Sequence, residues 1–440
     1  MNKKKWLSSL LVIGMFSLSA LTGCGKSTTV PAGSASPEAS PVTAAATATA
    51  KPAAPVKLKF VIWESQGDID FWTEKAKEYS KVKPNVTVEV NKVPDNSGQY
   101  LKVNLAANDM PDLFYMKPNA VQIYKQALLP LDDLKATANN KFEVKTDGKV
   151  LGIPLVSFSE YVYYHPSIFK ELGVDVPKTL PEFEALMDKI NANGKYTPIA
   201  IGMKDSWTSY PFLEFGMHML SGDENYLMNL PKNEAPFAEG SSFDKAAKFL
   251  KNIVTKKLAG SDPLSVSWDQ DYQMFEAKKA AMIALGQWYI GDYTKRVGSI
   301  DDLAAFPMPW RNTESEPLTS MTLADQYIGI SKNSKNVEEA KAFLEWMFSN
   351  DIYKSYVDKF QQTSTMKDVT ADTPFFNKVA EKTPFKPFTY KAQDEMYVKV
   401  KAAAQVDLNA VAQDIFAGKP LDGIEKSLND KWKKGIQGSK

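Results

Sequence analysis

The chain has 440 residues, with 53 basic and 52 acidic side chains, 44% apolar residues and 11% aromatic ones. That length supplies two or more domains at about 100–200 residues each, and a net charge of +1 excludes a general electrostatic drive toward nucleic acid. A single cysteine leaves no internal disulfide, and the two histidines, His165 and His218, exclude a histidine-rich metal site, so no metal and no other cofactor is expected.

At the N-terminus Lys3, Lys4 and Lys5 precede an apolar run from Trp6 to Leu21. The run is shorter than the roughly 20 residues that span a bilayer, and its charged start, apolar middle and small-residue end fit an export signal. It closes on Leu21-Thr22-Gly23-Cys24, which resembles the lipobox of bacterial lipoproteins at all four positions. That resemblance implies removal of residues 1–23 and lipidation of Cys24, since stable attachment needs two acyl signals. Residues 25–55 are almost only Gly, Ser, Thr, Ala, Pro and Val, and cannot bury enough surface to fold. With Cys24 they read as a tether over 24–55, with a reach on the order of 30 Å.

From Lys57 the pattern changes. Leu58, Phe60 and Ile62 alternate along a strand to Trp63, and Ile69, Trp72, Ala76 and Tyr79 mark a helix. Val86, Val88 and Val90 give a second strand, Tyr100 to Ala107 a second helix, and Leu113 to Met116 a third strand. Alternating units of this kind imply a mostly parallel sheet covered on both faces. Gly152 to Val156 and Tyr161 to Tyr164 read as two further strands, followed by a helix from Pro166 to near Gly173. Thr179 with Glu182 predicts a capping box on a helix to about Ala192. Strands are expected at Pro198–Ile201, Ala280–Leu285 and 326–330, with helices near Phe243–Lys257, Trp268–Lys278 and 336–349.

In open α/β sheets ligands sit beyond the carboxyl ends of strands. The loops there carry Trp63, Glu64 and Gln66, then Asp112, Tyr115 and Lys117, then Glu160 beside Tyr161, then Gln287, Trp288 and Tyr289. Carboxylates, amides and tryptophans recur at comparable positions. They suit a pyranose, whose apolar faces need flat rings and whose hydroxyls need planar acceptors.

Several segments in order carry a likeness to a known family: Leu58–Trp63, Met110-Pro111-Asp112-Leu113-Phe114, Ala127 to Leu131, Gly152-Ile153-Pro154 with Tyr161 to Tyr164, and Thr179 to Phe183. Ala281-Met282 with Gly286-Gln287-Trp288, and Asp325 to Ser331 leading to Ala340, Phe343 and Leu344, complete the order. Together they resemble the extracellular solute-binding proteins of ABC importers, the family of maltose-binding protein. The resemblance implies an α/β, two-lobed fold of the type II periplasmic-binding-protein kind, each lobe a mixed sheet flanked by helices, with a ligand cleft between them. It implies lobe one at 56–156 and 325–364 and lobe two at 157–324 and 365–440, with crossovers near Val156–Ser157, Leu323–Asp325 and Gln362–Met366. It implies a lipid-anchored monomer on the outer face of the cell membrane that hands a carbohydrate to permease subunits. Carried over to this chain, the contacts are Trp63, Glu64 and Asp112 from lobe one, with Lys117 a possible donor and Asp325 at the hinge. Trp288 is the expected stacking platform, followed by Glu160, Tyr161, Gln287 and Trp207.

Three other readings stay open at this stage. Glu64, Asp112 and Glu160 could supply the carboxylate pair of a glycosidase, although no Gly-x-Ser-x-Gly elbow accompanies them. The same fold could take an organic cation through its rings, or ferric ion through Tyr163 and Tyr164, which strand alternation separates. A structural surface protein without a ligand is the third.

Overall fold

The computed structural model describes residues 54–63, 66–93, 98–142, 144–391 and 394–439. The export signal, Cys24, the tether up to residue 53, and Glu64 lie outside the described residues. The strands are β1 (Val56–Ile62), β2 (Val86–Lys92), β3 (Leu113–Met116), the hairpin β4 (Lys145–Thr146) and β5 (Lys149–Val150), and β6 (Ile153–Tyr164). They continue with β7 (Thr197–Ala200), β8 (Ala280–Gly286), β9 (Ala304–Phe306), β10 (Thr319–Ile330), β11 (Thr363–Ser364) and β12 (Lys386–Thr389).

The principal order is β2-β1-β3-β10-β6-β8-β7. β1 runs parallel to β2 and β3, and β7 runs parallel to β8, whereas β10 is antiparallel to both β3 and β6, and β8 is antiparallel to β6. The sheet is therefore mixed, with the parallel pairs at its two flanks. β6 is one twelve-residue strand where sequence suggests two. The polar stretch between its apolar ends is buried and is bonded at two points: Ser159 Oγ lies 2.8 Å from Thr322 Oγ1, and Ser320 Oγ donates to the Glu160 carbonyl at 2.8 Å. Polarity in this strand marks cross-strand bonding.

Side-chain alternation fills both faces of each flank. Leu58, Phe60 and Ile62 join Tyr115, Phe343 and Leu344 in one core, while Val61, Phe114 and Met116 join a smaller one behind it. On the other flank Met282 and Ala284 face a core with Phe183, Leu250 and Trp432, and Ile283 and Leu285 face one with Tyr163, Phe275 and Tyr289. Tyr163 and Tyr164 accordingly enter different cores, so their phenols do not converge.

Local signals fix the surrounding helices. Thr179 accepts the Glu182 amide and caps Leu180–Asn193, but the Glu182 carboxylate takes the Lys178 amide at 2.7 Å, one residue earlier than a reciprocal box requires. The full box sits at Ser267 and Gln270, opening the helix Trp268–Glu276. The helix Val337–Met347 buries Ala340, Phe343, Leu344 and Met347, its apolar stripe.

The three segments expected to cross between halves meet at one point. Val156 and Ser157 of β6 pair with Asp325 and Ala324 of β10 on one side and with Ser364 and Thr363 of β11 on the other. Gln287 binds this row together: its Nε2 donates to Gln361 O at 2.6 Å, its Oε1 accepts from Thr363 Oγ1 at 3.1 Å, and its own amide donates to Ser159 O at 2.9 Å.

Candidate functional site: an indole-walled cleft

A cavity of about 1300 Å³ opens where β1, β3, β7 and β8 end. It is bounded on one side by Trp63 and Lys117, which follow β1 and β3, and on the other by Trp207, Trp268 and Trp288, which belong to the loops and helix starts around β7 and β8.

On the first wall the Trp63 ring meets Tyr115 edge-on at 5.3 Å, and Lys117 Nζ stands 5.3 Å from the Trp63 ring centre and 2.6 Å from Asp325 Oδ2. Asp325 is buried, and its second oxygen, Oδ1, has no hydrogen-bond partner among the described residues. Its neighbour Gln326 adopts φ 52°, a left-handed conformation inside a strand. That kink breaks the alternation of β10 and lets both consecutive side chains line the cavity. Gln362, beside the left-handed Gln361 (φ 47°), also lines it, and its Oε1 is likewise buried without a partner among the described residues. A buried acceptor left unmatched is costly unless something supplies a donor.

The second wall is aromatic. Trp207 lies 4.9 Å from Trp268 and 6.2 Å from Trp288, and Trp268 lies 5.9 Å from Trp288. The Tyr210 ring stacks on Trp207 at 6.2 Å, nearly parallel at 19°. Asp205 Oδ2 accepts the Trp268 amide at 2.7 Å and seats that helix start. Farther along, Tyr390 Oη donates to Glu214 Oε1 at 2.6 Å and Lys401 Nζ stands 3.5 Å from the same oxygen. Burial alone would raise Glu214, but the Lys401 charge and the phenol bring it below the usual carboxylate range, and Glu214 in turn raises Lys401. Both are charged at neutral pH.

The expected site residues divide accordingly. Trp63, Lys117, Trp207, Trp288 and Asp325 are brought together around the cavity. Asp112 is not: it stands at the start of β3, the end away from Trp63 and Lys117, and accepts the Lys59 amide at 2.8 Å and the Ser334 hydroxyl. It ties the start of β3 to β1 and to the loop after β10, spending both carboxylate oxygens on the fold's own donors. Tyr161 is packed against Phe376 at 4.8 Å, away from the cavity, because alternation along β6 turns it into the core behind the sheet. Gln287 is consumed by the clasp at the crossover. Glu160 lies one layer behind the wall, where it accepts from Tyr210 Oη at 2.9 Å. Burial pushes its carboxyl up to about 8, offset only in part by that bond and by the Lys117 charge.

Tyr210, Glu214, Trp268, Gln326, Tyr390 and Lys401 line the cavity without being foreseen. Trp268 reads in sequence only as a helix start, and Tyr390 and Lys401 belong to a C-terminal stretch whose approach to β10 and to Glu214 no local pattern reports. Among the described residues no group of three or more His, Cys, Asp or Glu could hold a metal ion.

A ring-walled cleft at strand ends, whose buried carboxylates Asp325 and Glu214 are each paired with a lysine, defines a receptor for a small organic solute. The model of the bacterial extracellular solute-binding protein family matches residues 63–354, and the chain belongs to that family. It is 25% identical over 340 residues to the multiple sugar-binding protein of Streptococcus mutans, covering 73% of this chain and 76% of that protein. Among solved structures it is similar to a mannobiose-bound ABC-transporter binding protein from Bifidobacterium animalis subsp. lactis, with TM-score 0.75, 20% identity, and coverage of 87% of this chain and 95% of that one. A stachyose-bound sugar transporter from Bacillus licheniformis gives TM-score 0.70 at 18% identity, over 86% of this chain and 100% of that one. The fold is that of the type II binding proteins.

Proposed function

We propose that this chain is the substrate-binding lipoprotein of an ABC importer, and that its cleft captures a neutral oligosaccharide and presents it to membrane permease subunits. The observation that carries this reading is the juxtaposition of three indoles on one wall with the unmatched acceptors Asp325 Oδ1 and Gln362 Oε1 on the other. Ring faces stack on the apolar faces of a pyranose, and the carboxylate and amide side chains of the facing wall are of the kind that pairs with its hydroxyls. The relatives that bind oligosaccharides, with a bound mannobiose and a bound stachyose among them, support the same class of ligand.

In this reading residues 56–156 with 325–364 form one lobe and 157–324 with 365–440 the other. Closure turns about the single row where Val156, Ala324, Asp325 and Thr363 are paired. Bound sugar touches both lobes and so stabilises the closed form. Residues 1–23 are cleaved, Cys24 carries the lipid that holds a monomer at the outer face of the membrane, and the tether gives the receptor reach. No turnover is involved: Asp112 and Glu160, two of the carboxylates that a glycosidase would need, are one at the far end of β3 and the other behind the wall.

A second reading, an organic cation as ligand, has one observation in its favour, since Asp205, Asp269 and Asp292 line the cavity beside the indoles. A thermal-shift screen of mono- and oligosaccharides against polyamines tests both. A rise in melting temperature with an oligosaccharide supports the proposal, and a response to polyamines alone replaces it with the cation reading.

A further inference from the structure

Gly286 carries no side chain for a reason that lies two residues on. A Cβ there would stand 2.5 Å from Nε1 and 2.6 Å from Cδ1 of Trp288, and 2.8 Å from Cδ2 of Phe158. The indole therefore rests directly on bare backbone, closer than any side chain permits. Besides the rings of Trp207, Trp268 and Tyr289, it meets Tyr210, whose phenol interacts with the Trp288 side chain and with the Gly286 backbone while donating to Glu160 Oε1 at 2.9 Å. Glu160 and Gly286 are paired across β6 and β8, so the acid and the glycine are fixed to each other by the ladder, and Ser320 Oγ holds the Glu160 carbonyl at 2.8 Å.

We infer that Tyr210 and Glu160 are positioning residues that fix the plane of the Trp288 ring, an inference that rests on the reading of Trp288 as the stacking platform. Glu160 grips the phenol, and the phenol and the Gly286 backbone fix the tilt of an indole that Trp207 and Trp268 flank on its cavity side. Packing alone does not call for this arrangement. A buried carboxyl with one oxygen, Oε2, lacking a partner among the described residues is an expensive way to fill a space that apolar groups would fill without cost. The groups facing Glu160 are Tyr210 from the opposite loop, Lys117 through its charge, and Tyr161 and Tyr163 from its own strand. The remaining neighbours beside it, Phe215, Met308, Trp310 and Met321, carry no charge.

The test reads Trp288 in the unliganded full chain. Subtracting the near-ultraviolet circular dichroism of Trp288→Ala from that of the wild type isolates the band of this indole. Tyr210→Phe, which removes only a hydroxyl, is expected to abolish most of that band. It should also weaken binding of the tightest sugar among mannobiose, raffinose and stachyose about tenfold. Glu160→Gln keeps an acceptor and is expected to keep the band, but to erase the change in it that the wild type shows as Glu160 titrates near about 8. A Trp288 band untouched by Tyr210→Phe, or a pH response that survives Glu160→Gln, overturns the inference. If none of the three sugars binds the wild type, the choice of ligand is what fails, while the dichroism still decides whether Tyr210 and Glu160 position the ring.

Discussion

Lys117 Nζ lies 2.6 Å from Asp325 Oδ2, a bond between residues 208 apart in sequence that ties the end of β3 to the kinked middle of β10. One ammonium thereby neutralises a buried carboxylate and stands over the Trp63 ring at 5.3 Å. The pair compensates the Asp325 charge, while its second oxygen, Oδ1, stays buried without a partner among the described residues.

Lys117→Met removes the partner and keeps the stem. Because Asp325 stays buried and Lys117 is about one-third exposed, the expected cost is about 1–3 kcal/mol of stability, below the full price of a wholly buried pair. Urea unfolding measures it, and an unchanged midpoint would show that water already carries the Asp325 charge.

Gly286→Ala forces a Cβ against Trp288 and Phe158. The substitution is expected to displace the indole and abolish the sugar-induced rise in melting temperature. Intrinsic fluorescence should shift in the unliganded protein. A variant that binds sugar as the wild type does would place the stacking surface elsewhere.

The buried acids set a pH dependence of definite sign. Glu160 titrates from an ordinary 4.5 up to about 8 in the folded chain, and Asp271 from 3.8 up to about 7, both because burial disfavours the ionised form. Between the two values the folded state keeps a proton that the unfolded chain has lost. The stabilisation is complete below about pH 4 and is lost as pH rises, by roughly 1.4 kcal/mol per unit for each proton, until each folded group ionises. Glu160→Gln should make the decline between about pH 5 and 8 shallower by up to that slope. Urea titrations across this range check it, and an unchanged slope would mean that Glu160 is ionised in the folded protein.

Gln287→Leu keeps the bulk but leaves Gln361 O and Thr363 Oγ1 without their partner. A loss of about 1–3 kcal/mol is expected, with amide exchange accelerated at 361–364. Unaltered exchange there would show that strand pairing alone holds the crossover.

How much of this was legible in the chain follows from the range of each signal. Strands such as Val56–Ile62 and Ala280–Gly286 and the helix Val337–Met347 announce themselves by pattern, because burial is a local constraint. β6 appears broken in sequence because Ser159 and Glu160 look like loop chemistry, and only their partners Thr322 and Ser320, some 160 positions away, make them strand. The same limit governs the site. Trp63 and Trp288 stand next to strand ends and could be named from position, whereas Trp268, Tyr390 and Lys401 reach the cavity through packing that composition does not encode. Asp112 and Gln287 show the converse: polar residues beside strand ends that the fold uses for its own hydrogen bonds.

Calorimetric titration of the wild type and of Trp288→Ala with mannobiose, raffinose, stachyose and a polyamine tests the central claim most directly. The account predicts saturable one-to-one binding of at least one sugar to the wild type, none to Trp288→Ala, and no response to the polyamine. Binding of the polyamine alone, or sugar binding that survives the loss of Trp288, would contradict it.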